Sequence, residues 1–201
     1  MKFNSFFLPT FNGSDAIVPN IANNAHFQAF TLHAYTAFES GRIFLTLEAI
    51  LILYFIYKCI AELGMSKRAS IISAFLVMFT PVFWFLSAYK NNDALATLFM
   101  FAALFAALRY RKTHSYYSLV SAAICIGFGM ETKLSAAMVA FPVATVFAFE
   151  LLKYFRVGHK WVLPKKKEFL KFVLQMVVFA VIVFPLGLGG AILMKIKYGM
   201  P

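Results

Sequence analysis

The sequence predicts an all-α protein: a polytopic transmembrane helix bundle of about six spans. Three observations carry that reading. Apolar residues make up 62% of the 201 and charged residues only 13%, against roughly half and a quarter in soluble domains. The apolar residues fall into long runs of the length that crosses a hydrocarbon core about 30 Å thick. The 19 Lys and Arg, set against 8 Asp and Glu, gather mostly in the breaks between those runs. The net charge of +11 therefore reads as membrane topology and contact with anionic lipid, and not as a nucleic-acid footprint.

Along the chain, residues 1–41 read as an external, interfacial segment and 42–201 as the transmembrane domain. Residues 1–20 are aromatic and turn-rich and lack the basic start and long apolar core of a signal peptide. In 21–40 the residues Asn23, Asn24, His26 and Gln28 interrupt any apolar run, as an interfacial helix would allow. Spans follow at 42–62, 69–89, 93–110, 116–131, 134–155 and 169–195. Pro81, Pro142 and Pro185 fall inside three of them, which membrane helices tolerate because neighbours satisfy the freed carbonyls. Gly187, Gly189 and Gly190 in the last span fit close helix packing, or a break near the outer surface, better than nucleotide binding. Cys59 and Cys125 sit in apolar runs without metal-ligand spacing, and no disulfide between them is expected.

The basic residues set the orientation. Lys58, Lys67, Arg68, Arg109, Arg111, Lys112, Lys153, Arg156, Lys160, Lys165, Lys166, Lys167 and Lys171 fall on one side, 13 of the 19. The positive-inside rule puts that side in the cytoplasm. Two very short turns then lie outside: "KNND", ending at Asp93, and "METK", ending at Lys133.

Each charged position has a plain structural reading beside a chemical one. Asp93 opens a helix and could cap it, although the two Asn before it already supply caps. Lys133 could be an interfacial lysine with its head in the headgroups. Together, however, the two turns place a carboxylate and an ammonium at one membrane surface. A carboxylate there can act as base toward a hydroxyl acceptor or hold a divalent cation, and a lysine can hold a leaving phosphate. Glu131 could pair with Lys133 or be solvated. His26, Gln28 and His33 lie in "NAHFQAFTLHAY"; His26 and His33 are too far apart for a usual zinc pair, and contact with a headgroup or substrate stands beside plain interfacial packing. Glu48 reads as facing the bundle interior and hydrogen-bonded. "NGS" at Asn12 matches a glycosylation sequon, a short and weak pattern. No phosphate-binding glycine loop and no Ser–His–Asp order is present.

The block "RIFLTLEAILILYFIYKCIAELG", followed by "YKNNDALATLFMFAALFAALRYRK" and "GFGMETKLSAAMVAFP", resembles membrane glycosyltransferases of the GT-C superfamily. The closest likeness is to the family 39 type, which includes protein O-mannosyltransferases and aminoarabinose transferases acting on lipid A. Three features carry it: Arg42 opening a helix, Asn92–Asp93 beginning a later one, and Gly127 through Thr132–Lys133 ending another. The likeness covers roughly residues 20–155. It implies transfer of a sugar from a polyprenyl-phosphate carrier to a lipid, glycan or protein acceptor outside the cytoplasm. It places Asp93 in the catalytic cavity and Lys133 on the carrier phosphate, with Asn92, Glu131, His26 and Gln28 as further substrate-side candidates. No cofactor beyond a divalent cation is in question. In such enzymes the principal catalytic acid lies in a first external loop that follows a first membrane helix. No such helix precedes residue 20, Asp15 is the one acid that could represent the loop, and the chain reads as the N-terminal half of a larger enzyme. A multi-pass position in a bacterial plasma membrane is expected ahead of one in the endoplasmic reticulum. The competing classes are a transporter, which would want mid-membrane ionisable groups or an inverted repeat, and a non-catalytic membrane scaffold, which would leave Asp93 and Lys133 as cap and anchor.

Overall fold

A computed structural model of the chain describes residues 25–88, 92–157, 160–161 and 166–199, with nearly all of their side chains from Gly41 onward. The chain divides into two compact units, residues 1–44 and 45–201. The expectations for Asn12, Asp15 and Asn91 lie outside the described residues.

Among the described residues the architecture is helical apart from one minimal hairpin. Helix α1 runs from Ala25 to Glu62, α2 from Lys67 to Met78, α3 from Pro81 to Ala88, α4 from Asp93 to Thr113 and α5 from Tyr116 to Thr132. A 3₁₀ segment, Leu134–Val139, leads into α6 at Ala140–Phe155. Strands β1 (Arg156–Val157) and β2 (Lys160–Trp161) pair antiparallel, and α7 follows at Lys166–Tyr198. The hairpin stands in what read as a plain linker.

Among the described residues four stretches are long and apolar enough to cross a membrane: Gly41–Glu62 of α1, Asp93–Thr113, Leu134–Lys153 and Lys166–Tyr198. The protein is therefore an integral membrane protein. Two of the other expected spans are not single helices of that length, each for a physical reason. The stretch 69–89 is broken, because Pro81 disfavours helical backbone at the residue before it. The chain instead turns at Thr80, whose hydroxyl donates to the Val77 carbonyl (2.8 Å) and accepts from the Phe83 N–H (3.3 Å). Pro81 then opens α3, where its missing N–H costs nothing. Helix α5 is unbroken and has 17 residues, about 26 Å at 1.5 Å per residue, the short end of what crosses a hydrocarbon core of ~30 Å.

The other two prolines act as their positions dictate. Pro142 cannot donate to the Met138 carbonyl and crowds it. The turn before it is accordingly tightened into the 3₁₀ segment. Pro185 lies within α7, which continues through it.

The interior is built on close approach of small residues. Ala103, Ala106, Ala107 and Tyr110 are buried on one stripe of α4, and Leu119, Ala122, Ala123 and Ile126 on one stripe of α5. Both stripes follow the three-four spacing of a helix face. Between membrane helices there is no water to expel, so packing contact itself holds the pair, and alanine faces let the backbones come close. Helix α5 also packs along α7. There the glycines serve: a Cβ at Gly127 would lie 2.5 Å from the Leu186 Cβ, and one at Gly187 would lie 2.9 Å from the Met130 sulfur. Gly189 faces open space, so of the three α7 glycines it is Gly187 and Gly190 that pack closely.

At the basic end the elements are tied by charge. Lys112 pairs with Glu62 at 2.9 Å. Glu150, fully buried at the end of α6, accepts from Lys153 at 2.5 Å and faces Arg111 at 3.7 Å and His114 at 3.8 Å. His114 ends α4 in left-handed backbone, φ 49°, with its N–H on the Tyr110 carbonyl. The Tyr110 hydroxyl donates to Gln175 at 2.7 Å, which fastens α4 to α7.

Candidate functional site: a paired carboxylate and lysine at the end of the bundle

Asp93 is the first residue of α4. Asn92, before it, is exposed and makes no side-chain cap hydrogen bond; its backbone carbonyl accepts from the Ala96 N–H at 2.9 Å. The expectation that neighbouring Asn side chains relieve Asp93 of capping thus does not hold at Asn92. Asp93 itself supplies the negative charge that the first turn of a helix favours.

Lys133 sits at the joint between α5 and the 3₁₀ segment, in extended backbone with φ −157° and ψ 124°. Both of its backbone groups are used: the N–H donates to the Gly129 carbonyl at 2.9 Å and the carbonyl accepts from Ala136 at 2.8 Å. This joint lets the side chain leave the helix axis. Its ammonium donates to Oδ1 of Asp93. The two motifs that the sequence places 40 residues apart therefore meet as one ion pair. Both side chains keep contact with solvent, at 47% exposure for Lys133 and 35% for Asp93.

The packing beneath the pair fixes their approach. A Cβ at Gly129 would lie 3.3 Å from Phe99 Cβ on α4 and 3.4 Å from Ala136 Cβ on the 3₁₀ segment. The Phe99 and Phe128 rings stack at 6.0 Å between centroids. Glycine at 129 thus lets α4, α5 and the 3₁₀ turn converge just below Lys133.

Glu131 does not join the pair. Its carboxylate lies over Gly190 of α7, where a Cβ would collide with it. His26 and Gln28 lie on α1, but their side chains are outside the described residues, as is that of His33. Glu48 is buried on the interior stripe of α1 with Leu45, Ile52 and Ile56. Cys59 and Cys125 are free thiols.

Among the described residues no three His, Cys, Asp or Glu converge to hold a metal ion. The Asp93 carboxylate is engaged by an ammonium. The described residues do not fit a divalent-cation site.

Sequence reasoning missed the Glu150 cluster. Its one signal was Glu150 three residues before Lys153, a spacing common on solvated helix faces; nothing local showed that this carboxylate is buried. The cluster secures the end of the bundle opposite the paired turns.

The chain is thus a helical membrane protein with an accessible carboxylate–ammonium pair at the end of its bundle. Residues 17–196 match the model of the family described as dolichyl-phosphate-mannose-protein mannosyltransferase, PMT. The chain belongs to this family of membrane glycosyltransferases. Membership implies use of a polyprenyl-phosphate-mannose donor. No curated protein and no solved structure matches the chain.

Proposed function

We propose that the protein transfers mannose from a polyprenyl-phosphate carrier to a hydroxyl acceptor on the extracytoplasmic side of the membrane, with Asp93 and Lys133 in the site. The observation that supports this reading is their pairing at a surface where a lipid headgroup can reach both.

The reaction needs a base, a stabilised leaving group and an exposed meeting place. Asp93 takes the proton of the acceptor hydroxyl as its oxygen attacks the anomeric carbon. The bond from that carbon to the phosphate oxygen breaks, and its electron pair stays on the carrier phosphate. Lys133 faces that growing negative charge. An ammonium carries three N–H donors, so it can hold a phosphate oxygen while keeping Asp93 in place. Asn92 borders the pair at the helix start. Glu131 lies toward α7, where it would exclude a second anion from that side. His26 and Gln28 are the substrate-side groups of α1 in this reading. Residues 1–41 form the external segment and 42–201 the transmembrane domain.

Lys133→Gln tests it. The swap keeps a long polar side chain and removes the attraction for phosphate. Transfer of radiolabelled mannose from polyprenyl phosphate is measured in membranes over a range of donor concentrations. The donor KM should rise about ten- to a hundredfold, the equivalent of one charge-assisted contact. An unchanged donor KM would remove Lys133 from the phosphate site.

A further inference from the structure

Helices α1 and α2 leave a groove of about 310 Å³ between them, lined by Leu53, Tyr54, Tyr57, Ile71, Phe75 and Met78 with Ala74 at its floor. That is the small end of the range for ligand cavities, about 300–1,000 Å³. It suits a length of acyl chain better than a whole lipid. Leu53, Ala74 and Met78 also pack on the small core cluster of Ile52, Ile56 and Phe83, so the floor is fixed by the fold. Tyr54, Ile71 and Phe75 are about half exposed, so the groove opens sideways to the bilayer.

Three cations stand at one end of it. Lys58 holds its ammonium 5.3 Å from the centre of the Tyr54 ring, one wall of the groove. Lys67 and Arg68 open α2 one turn before Ile71, and residues three and four apart share a helix face. Side chains on a helix lean toward its N-terminus, which carries Lys67 and Arg68 past the end of the groove. Among the described residues neither has an ion-pair partner, whereas Lys112 and Lys153 at the same end do.

We propose that this groove is a binding site for an anionic glycerophospholipid, with one acyl chain between α1 and α2 and the phosphate held by Lys58, Lys67 and Arg68. The site is separate from the Asp93–Lys133 pair and does not rest on the transferase reading. The charge decides the occupant: an apolar slot alone would take any lipid or a neighbouring helix, but three cations grouped at its mouth select a negative headgroup. Tyr54 and Tyr57 contribute rings of the kind that settle at the headgroup level.

The test uses the full chain in nanodiscs of phosphatidylcholine doped with phosphatidylglycerol, with retained lipid read by native mass spectrometry. Wild type should hold phosphatidylglycerol at least threefold over its share of the nanodisc, and high salt should erase the excess. Replacing Lys58, Lys67 and Arg68 together by Gln should bring retention down to that share, while replacing both lysines by Arg should preserve it. Ala74→Trp fills the groove without touching a cation and should also expel the lipid; it decides the matter even if the triple variant fails to fold. Equal retention of the two lipids by wild type would overturn the proposal. So would full retention by Ala74→Trp, or a cysteine at Ile71 cross-linking to a second copy of the chain.

Discussion

Glu150→Gln should destabilise the bundle more than loss of any one of its three partners. The carboxylate is 1% exposed, whereas Lys153, Arg111 and His114 are 56%, 46% and 54% exposed. The perturbation is therefore asymmetric. When Glu150 is neutralised, the short bond from Lys153 loses its charge, worth about 1.5–3 kcal/mol. The half-exposed cations turn back to water and headgroups, and the two longer pairs add only about 0–1 kcal/mol each. The sum is about 1.5–5 kcal/mol. Lys153→Gln leaves the buried carboxylate still facing Arg111, so no buried charge is stranded and the cost stays at about 1 kcal/mol. The assay is thermal unfolding in one detergent, followed by loss of soluble protein, for Glu150→Gln, Lys153→Gln and the double variant. The double variant should match Glu150→Gln closely, because the second change removes a partner already lost. A Lys153→Gln loss equal to that of Glu150→Gln, or additive losses in the double variant, would refute this account of the cluster.

Gly127→Ala and Gly190→Ala should part company. At Gly127 the added Cβ meets the Cβ of Leu186, which cannot swing aside, so α5 and α7 must separate at about 1–3 kcal/mol. At Gly190 it meets the far end of the exposed Glu131 side chain, which can rotate away, so the melting temperature should barely move. Cysteine labelling tests the orientation: a probe at Asn91 should be reached from outside the cell and one at Ser66 only after the membrane is breached.

Asp93 and Lys133 were legible because three signals agreed. Each lies in a short polar turn between apolar runs, both turns fall on the sparsely basic side, and their order matches the family pattern. What the sequence could not supply was the contact itself, which depends on Gly129 admitting Phe99 and Ala136. The helical class followed from composition, but the break inside the expected span 69–89 did not. Pro81 read as a tolerated interior proline, like Pro185, because membrane neighbours can satisfy freed carbonyls; the difference lies in Thr80, whose side chain closes a turn with Val77 and Phe83. Asn92 read as a cap by residue type, and its side chain makes no such bond. The expected first span begins at residue 42, yet α1 runs into it from Ala25 through Gly41. A single glycine costs a helix only about 1 kcal/mol. Glu150 escaped notice because its partners Arg111 and His114 come from the end of α4, which no local pattern announces.

The most direct test of the central claim is turnover by Asp93→Asn in native membranes, with thermal stability measured beside it. Asn serves a helix start about as well as Asp, and the exposed pair with Lys133 is worth about 0–1 kcal/mol to the fold. The variant should therefore melt close to wild type. Mannosyl transfer from the polyprenyl-phosphate donor should nevertheless fall at least ten- to a hundredfold, about 1.5–3 kcal/mol in the barrier. Transfer at the wild-type rate would contradict the account and return Asp93 to the role of a helix cap.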